Sequence, residues 1–364
     1  MIGKDFLANN DNLEDLRIPN AFNIEDGFLN SASLIKSIIL DKVKYISFDF
    51  MSYNTTLEYI CAPNLEVIGN GFLELNNSLK SLILPKVTDV GARFLSNNRI
   101  LSYLEMPNIK DAGEDFLENN QELTYINFEK LEILRNCFLK NNSKIKNVNI
   151  PMVEVIGDKC LSNASIINLS LPNTKTIGDS FMESNIDLET IYAPKLISIR
   201  NKFLNENRKL KFLSLENVEF IGYKFMENNE ILKQIYLPSC TSVGYSFLRK
   251  NKSLKQIILP MIEKIDDNFI SENELVNYLY MPNLKNIGHK FLNNNSCLRF
   301  VSLSSARWIG YDFLKNNENL EYLYLPNLSF INYKNQLKFK ILKERSKKVG
   351  KVLEYNLGRY NKKR

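Results

Sequence analysis

Residues 247–266 read FLRKNKSLKQIILPMIEKID, and residues 291–310 read FLNNNSCLRFVSLSSARWIG. Superposed, they share the pattern F-L-x-x-N-x-x-L-x-x-L-x-L-P-x-V-x-x-I-G-x-x, with conservative exchanges. The leading Phe returns every 22 residues, at Phe6, Phe28, Phe50, Phe72, Phe94, Phe116 and Phe138, and again from Phe181 to Phe313. The next position is Leu, Met or Ile in every unit. Asn stands four places after the Phe in thirteen of fifteen units, from Asn10 to Asn317, and Ala32 is one exception. The other is the unit beginning at Cys160, which has Cys for Phe and is one residue short near Asn163 and Ala164. A one-residue deletion is tolerable in a turn, whereas in a strand it would exchange the two faces.

A period of ~20–29 residues with leucine-type positions inside it is the signature of a leucine-rich-repeat solenoid. The chain of 364 residues, 44% hydrophobic, exceeds what one globular core usually holds. A solenoid escapes that limit because each coil packs only on its neighbours. Fifteen coils at ~4.8 Å per parallel strand predict an arc ~70 Å long. The expected fold is an α/β repeat solenoid of about fifteen 22-residue coils, with a parallel sheet on one face and short turns or helical segments on the other. It occupies residues 1–333.

Within a unit, x-L-x-L-P reads as the strand. Alternation places Leu82 and Leu84 inward and Ile83 outward. Pro85 closes the ladder, since Pro donates no N–H. The Val and Ile of V-x-x-I-G point inward from a second straight stretch. Gly follows in nine of fifteen units, such as Gly69, Gly157, Gly244 and Gly310, which suggests a turn with positive φ. Arg135, Arg200 and Asp266 hold that place elsewhere. F-L-x-x-N reads as a short helical turn. Its Asn is expected in a buried ladder, satisfying turn backbone of adjacent coils with both donors and acceptor.

These residues resemble the BspA-like, or Treponema pallidum-type, class of leucine-rich repeats, which reads roughly L-P-x-x-L-x-x-I-G-x-x-A-F-x-x-C-x-x-L. Here Ile287-Gly288 leads to Phe291-Leu292, Asn295 and Leu298 with matching spacing. Phe-Leu stands where Ala-Phe is usual, Asn replaces Cys, and the link after Pro is one residue shorter. The resemblance spans about nine-tenths of the chain. It implies binding proteins, often surface adhesins, and brings no catalytic residues.

MIGKDFLANN lacks a basic stretch followed by an apolar one, so no signal peptide is expected. No apolar run approaches the ~18 residues of a membrane span. Cys61, Cys137, Cys160, Cys240 and Cys297 are odd in number and unpaired in spacing. Cys160 and Cys240 fall at inward positions and read as small core hydrophobes. A reducing, cytoplasmic setting is the expectation, with secretion by a non-classical route as its alternative.

The outward strand positions carry the clearest functional signal. They hold Tyr59, Tyr103, Tyr125, Tyr192, Phe212, Tyr236, Tyr278, Tyr280, Phe300, Tyr322 and Tyr324. Eleven aromatics in thirty positions contrast with 11% over the whole chain. Stacked rings can simply brace a sheet, at ~0.2–1 kcal/mol per pair. They also supply the rigid contact area typical of binding hot spots.

Residues 334–364 form a second feature. Twelve Lys and Arg face only Glu344 and Glu354, a local charge of +10 against +6 for the whole chain. Leu342, Val349, Leu353 and Tyr360 recur at roughly helical spacing, which predicts a basic capping helix with a frayed tail. Lys338, Lys340, Lys343, Arg345, Lys347, Lys348 and Lys351 are candidates for contact with nucleic acid, an acidic membrane surface or an acidic partner.

Enzyme signals are weak. One His, His289, cannot form a His-pair metal site. Gly69-Asn70-Gly71 lacks the third glycine of a nucleotide fingerprint. Asp266-Asp267 reads as a solvated turn, and Trp308 as surface packing. No catalytic residue, metal or cofactor is expected. The leading expectation is a non-catalytic module or scaffold gripping a protein or peptide across the strand-face aromatics. The alternatives are docking through the basic C-terminus, and an exported adhesin or effector. The chain is expected to be monomeric or weakly self-associating end to end, since no cap precedes Phe6.

Overall fold

The computed structural model describes residues 1–329 and the backbone of 353–355. It comprises two compact units, Met1–Ala193 and one beginning at Pro194. Both stack coils of the same kind. Each full coil contributes a strand of three or four residues, such as Tyr103–Glu105, and one of two residues, such as Asp111–Ala112. Both pair in parallel with their equivalents 22 residues away, as in Ser81↔Tyr103 and Asp89↔Asp111. The short repeat keeps this order. Its register partner is 21 residues on, Ile156↔Ile177, and both side chains remain buried. The missing residue therefore lies in a turn, as the face-exchange argument requires.

Alternation along the strand is as expected. Leu82 and Leu84 are buried and Ile83 is exposed. The repeating Phe rings form continuous stacks: Phe28, Phe50, Phe72, Phe94 and Phe116 follow one another at 5.2–5.4 Å, with planes within 12°. Phe203 to Phe313 do the same in the second unit. Burying each ring contributes ~1.5–3 kcal/mol. Phe6 stacks on Phe28 at 5.8 Å and is 43% exposed.

The F-L-x-x-N segment is not helical, and no helix occurs among the described residues. Instead its backbone alternates in hand. Arg93, Leu95 and Asn97 have φ of 58°, 51° and 63°, and the equivalent triple recurs in every repeat from Asp5 to Asn316, with Gly27 and Gly71 supplying two places. Left-handed backbone costs an ordinary residue about 1–2 kcal/mol. The return is a hydrogen-bond ladder along the stack. Arg93 N–H donates to Glu114 O in the following coil, Leu95 to Phe72 O in the preceding one, and Asn97 to Glu118 O in the following one, at 2.7–2.9 Å. A helix would turn these amides onto their own coil and leave the neighbours' carbonyls without donors.

The recurring Asn completes this ladder. Asn120 is fully buried, and its Nδ2 donates to Leu95 O at 2.9 Å and Glu118 O at 3.3 Å. Asn142 and Asn98 repeat the geometry one coil on either side. The acceptor side departs from expectation. Oδ1 of Asn251, Asn273 and Asn295 accepts the backbone N–H of the preceding Asn, but Oδ1 of Asn98, Asn120 and Asn142 has no protein partner. A second Asn row appears at the strand's end, where Asn108 Nδ2 donates to Pro85 O and Asn283 Nδ2 to Pro260 O.

Two expectations are corrected. The glycines after Ile do not need positive φ. They need room: a Cβ on Gly113 would stand 2.2 Å from the Gly91 carbonyl carbon, and one on Gly91 would stand 2.6 Å from that of Gly69. Close approach of coils excludes the side chain at these glycines, while Arg135, Arg200 and Asp266 hold the equivalent place in other coils. The expected C-terminal helix is also contradicted at residues 353–355. Leu353–Tyr355 form a strand that pairs in parallel with Tyr322–Leu325. The open edge of the last strand thus meets backbone donors and acceptors, a stronger demand than covering apolar side chains. The basic residues proposed for polyanion contact, Lys338 to Lys351, lie outside the described residues, as does the rest of the expected helix.

Two predictions follow from the ladder. In urea denaturation, Gly113→Ala should cost ~1–3 kcal/mol or more through overpacking, whereas Gly3→Ala, with nothing within 4 Å of its Cβ, should be nearly silent. Equal shifts would refute the close-approach account. Asn120→Ala should cost ~1–3 kcal/mol by orphaning buried carbonyls. Lys144→Ala, which removes only an exposed ion pair to Glu122, should stay within ~1 kcal/mol.

Candidate functional site

The outward strand positions divide by unit. In the first, Tyr59, Tyr103, Tyr125 and Tyr192 are each about half exposed, at 48–54%. Tyr59 faces Ser37, while Tyr103 and Tyr125 hold equivalent positions of consecutive coils, with Ser81 and Asn147 on their outer sides. Tyr103 lies along its own strand instead, its hydroxyl donating to Glu105 Oε2 at 2.7 Å. That hydrogen bond holds the phenol above its ordinary pKa.

The second unit concentrates its rings. The register Tyr278↔Phe300↔Tyr322 puts three aromatics on three consecutive strands. They stack at 4.7 Å and 4.4 Å, with planes 13° and 2° apart. Tyr324 stands 6.4 Å from Tyr322. Tyr280 occupies the parallel column, where its register partner is Ser302 and the next is Tyr324. Tyr278 and Tyr280 remain 50% and 51% exposed, while Phe300, Tyr322 and Tyr324 are half-buried in the stack. Tyr236 is exposed two coils earlier. Phe212 lies in the strand Phe212–Ser214.

A groove of about 360 Å³ runs beside this stack, lined by Lys255, Leu275, Asn277, Cys297, Arg299 and Asn319. Asn277 and Arg299 immediately precede Tyr278 and Phe300 in the chain. The turn that enters each strand therefore supplies polar and cationic groups at the edge of the aromatic surface. Rigid rings with a charged rim match the anatomy of a protein-recognition patch.

A second aromatic row was missed from the sequence, because attention to strand positions passes over the corner after I-G. Tyr223 and Tyr245 stack there at 4.7 Å and 4°. Two coils further, His289 stacks on Tyr311 at 3.7 Å, and its Nδ1 accepts the Tyr311 N–H at 3.0 Å. Trp308 meets His289 edge-on at 5.9 Å. The spacing I-G-Y and I-G-H was the available signal. Among the described residues no group of three or more His, Cys, Asp or Glu is placed to hold a metal ion. Among the described residues no helix is long and apolar enough to cross a membrane.

The family model for the BspA type leucine rich repeat region, six copies long, matches residues 1–73, 49–168, 131–251 and 232–336. Among curated proteins no sequence matches the chain. A leucine-rich repeat protein from Bacteroides ovatus has a similar structure, at 19% identity and a TM-score of 0.62, covering 94% of this chain and 84% of its own. A leucine rich cell surface protein from Faecalibacterium prausnitzii aligns at 12% identity and a TM-score of 0.42, covering 93% and 89%. At these identities the likeness concerns fold alone.

The cysteines separate by burial. All five are free thiols. Burial pushes Cys160 and Cys240 up to about 12, and burial beside Asp115 pushes Cys137 up to about 11. Since the thiolate is the reactive form, exposed Cys297 should be alkylated first at mildly basic pH. Cys160 and Cys240 should stay unlabelled until denaturant is added. Peptide mapping by mass spectrometry after timed alkylation checks the order, and early labelling of Cys160 would contradict the packing described.

Proposed function

The chain belongs to the BspA-type leucine-rich-repeat family, and from that premise we propose that it is a non-catalytic binding module that grips a protein or peptide across the strand-face aromatics of its second unit. One observation carries the reading: Tyr278, Phe300 and Tyr322 form a continuous stack on an open sheet, flanked by Tyr280 and Tyr324. Aromatic pairs contribute only ~0.5–1.5 kcal/mol beyond area burial, and bracing alone does not require half of each Tyr278 and Tyr280 side chain to face solvent. Tyr offers large contact area at low entropic cost, with a hydroxyl able to keep one hydrogen bond on either side of complex formation. Arg299 and Lys255 in the adjacent groove add a cationic edge that favours a partner with acidic residues beside its apolar anchors.

The dispersed tyrosines of the first unit support a weaker role. Only Tyr103 and Tyr125 fall in consecutive coils, bounded by Ser81 and Asn147, so the first unit offers at most a pair of adjacent rings where the second offers a stack of three, and hot spots cluster.

The test is affinity capture with mass spectrometry at low and high salt, comparing the full chain with two variants. One carries Tyr278, Tyr280, Tyr322 and Tyr324 changed to Ser; the other carries Tyr59, Tyr103, Tyr125 and Tyr192 changed to Ser. Partners that survive high salt and disappear only with the first variant are the expected result, because apolar contacts are little screened. Equal capture by the full chain and the first variant, with both folded by circular dichroism, would refute the assignment.

A further inference from the structure

The corner row of the second unit contains a ring-sized vacancy. Its positions in successive coils are Asn201, Tyr223, Tyr245, Asp267, His289 and Tyr311. Tyr223 and Tyr245 stack at 4.7 Å, and His289 and Tyr311 stack at 3.7 Å. Between the two pairs stands Asp267, one coil without a ring. Two coil steps place Tyr245 and His289 ~9.6 Å apart. That separation equals two intervals of the kind the neighbouring rings already keep, so it accepts one flat group and little more. A cavity of about 340 Å³ on the Tyr245 side of this gap is lined by Tyr245, Asp266, Asp267 and Asn268, and His289 stands outside its lining.

We propose that this slot binds a guanidinium group, stacked between Tyr245 and His289 and hydrogen-bonded to Asp266 and Asp267. The chemistry of the walls selects it. Ring faces attract cations, and among biological cations guanidinium is flat, weakly hydrated and able to stack. Its edge carries five N–H donors, matched by carboxylate acceptors on the floor. Asp267 commits one oxygen to the His289 N–H at 2.7 Å, and a carboxylate has a second. That internal bond fixes the carboxylate's orientation before any ligand arrives. Asn268, held in left-handed backbone at φ 57°, adds an amide at the rim.

Nearby lysines compete only weakly. Lys264 Nζ lies 3.9 Å from Asp266 Oδ1, at the limit of an ion pair, with both side chains about half exposed or more. Such a contact is worth little, and a tetrahedral ammonium cannot fill a slot between two ring faces. Lys290 follows His289 in the next coil and is exposed. The slot lies at a different corner of the coil from the aromatic strand face and does not depend on the reading given for that face.

Trp308, the chain's single tryptophan, provides the reporter, since it contacts His289 edge-on at 5.9 Å. The experiment titrates the full chain with methylguanidinium, the peptide Gly-Arg-Gly, the peptide Gly-Lys-Gly and glucose, following Trp308 fluorescence and heat of binding. Saturable binding of the guanidinium compounds, at least about tenfold tighter than Gly-Lys-Gly or glucose, is expected. Gly-Arg-Gly binding clearly tighter than methylguanidinium would identify a partner's arginine as the ligand. Equal affinity would identify a small free guanidine, and either outcome supports the slot. Asp267→Tyr restores the missing ring with a residue that the same row already carries at Tyr223, Tyr245 and Tyr311. It should abolish binding while leaving the melt intact. The double variant Asp266→Asn, Asp267→Asn keeps the shape and should weaken binding at least about tenfold by removing charge. Equal affinity for arginine and lysine peptides, preference for glucose, or unaltered binding by Asp267→Tyr would each overturn the proposal.

Discussion

The axial ladder between coils is the constraint from which the rest follows. Every coil must offer donors and acceptors where its neighbours hold their partners. The alternating left-handed triple, exemplified by Arg93, Leu95 and Asn97, does this at the cost of unfavourable φ. The arrangement persists only because other contacts over-determine it. The Phe stack fixes the separation of coils, buried Asn side chains cross-link the turn, and the glycines at Gly91 and Gly113 let backbones meet. Even Ile270, a β-branched residue for which this region is a genuine outlier, is held at φ 50°. A local preference yields here to the demand of a repeating neighbour.

That demand also explains which features were legible in the sequence. Inward positions repeat because each must pack on its own copy, so Phe, Leu and Asn announce the coil directly. The hand of the F-L-x-x-N segment was not legible in the same way. Its four-residue spacing from Phe94 to Asn98 imitates one helical turn, and Leu or Met at a left-handed position carries no compositional mark. Asn97, Asn119 and Asn141, which tolerate that region more readily, were the fainter signal. Glycine misled for a related reason: positive φ and lack of space both select it, and only coordinates tell them apart. The strand at Leu353–Tyr355 was read as helix because Leu342, Val349 and Leu353 approximate a helical period, while pairing with Tyr322–Leu325 is a long-range fact that no local spacing encodes.

The candidate site was half legible for the opposite reason. Outward positions are free of the ladder, so their residues carry information about contact rather than fold. Counting aromatics over all strands picks out the outward rings and their density in the last seven strands, but not which of them touch. The structure distinguishes them by what stands in the adjacent coil. Tyr59 beside Ser37 has no ring on that side, while Tyr278 beside Phe300 is one end of a three-ring stack. Adjacency at intervals of 22 residues, rather than enrichment, is the quantity that matters on a solenoid.

The same logic runs through absence as well as presence. In a stack of identical coils, a row of like side chains is the default, and a single departure creates a feature as wide as one coil. Cys160 interrupts the Phe stack inside the core, where the departure must be closed by packing, and its thiol is accordingly buried and pushed up to about 12. Asp267 interrupts the corner row at the surface, where nothing in the coil has to close it. Substituting a ring by a carboxylate there costs the ladder nothing, because Asp267 returns an oxygen to the His289 N–H. A solenoid can therefore acquire a shaped, charged slot by one substitution at an outward position, while its fold remains specified by the inward ones.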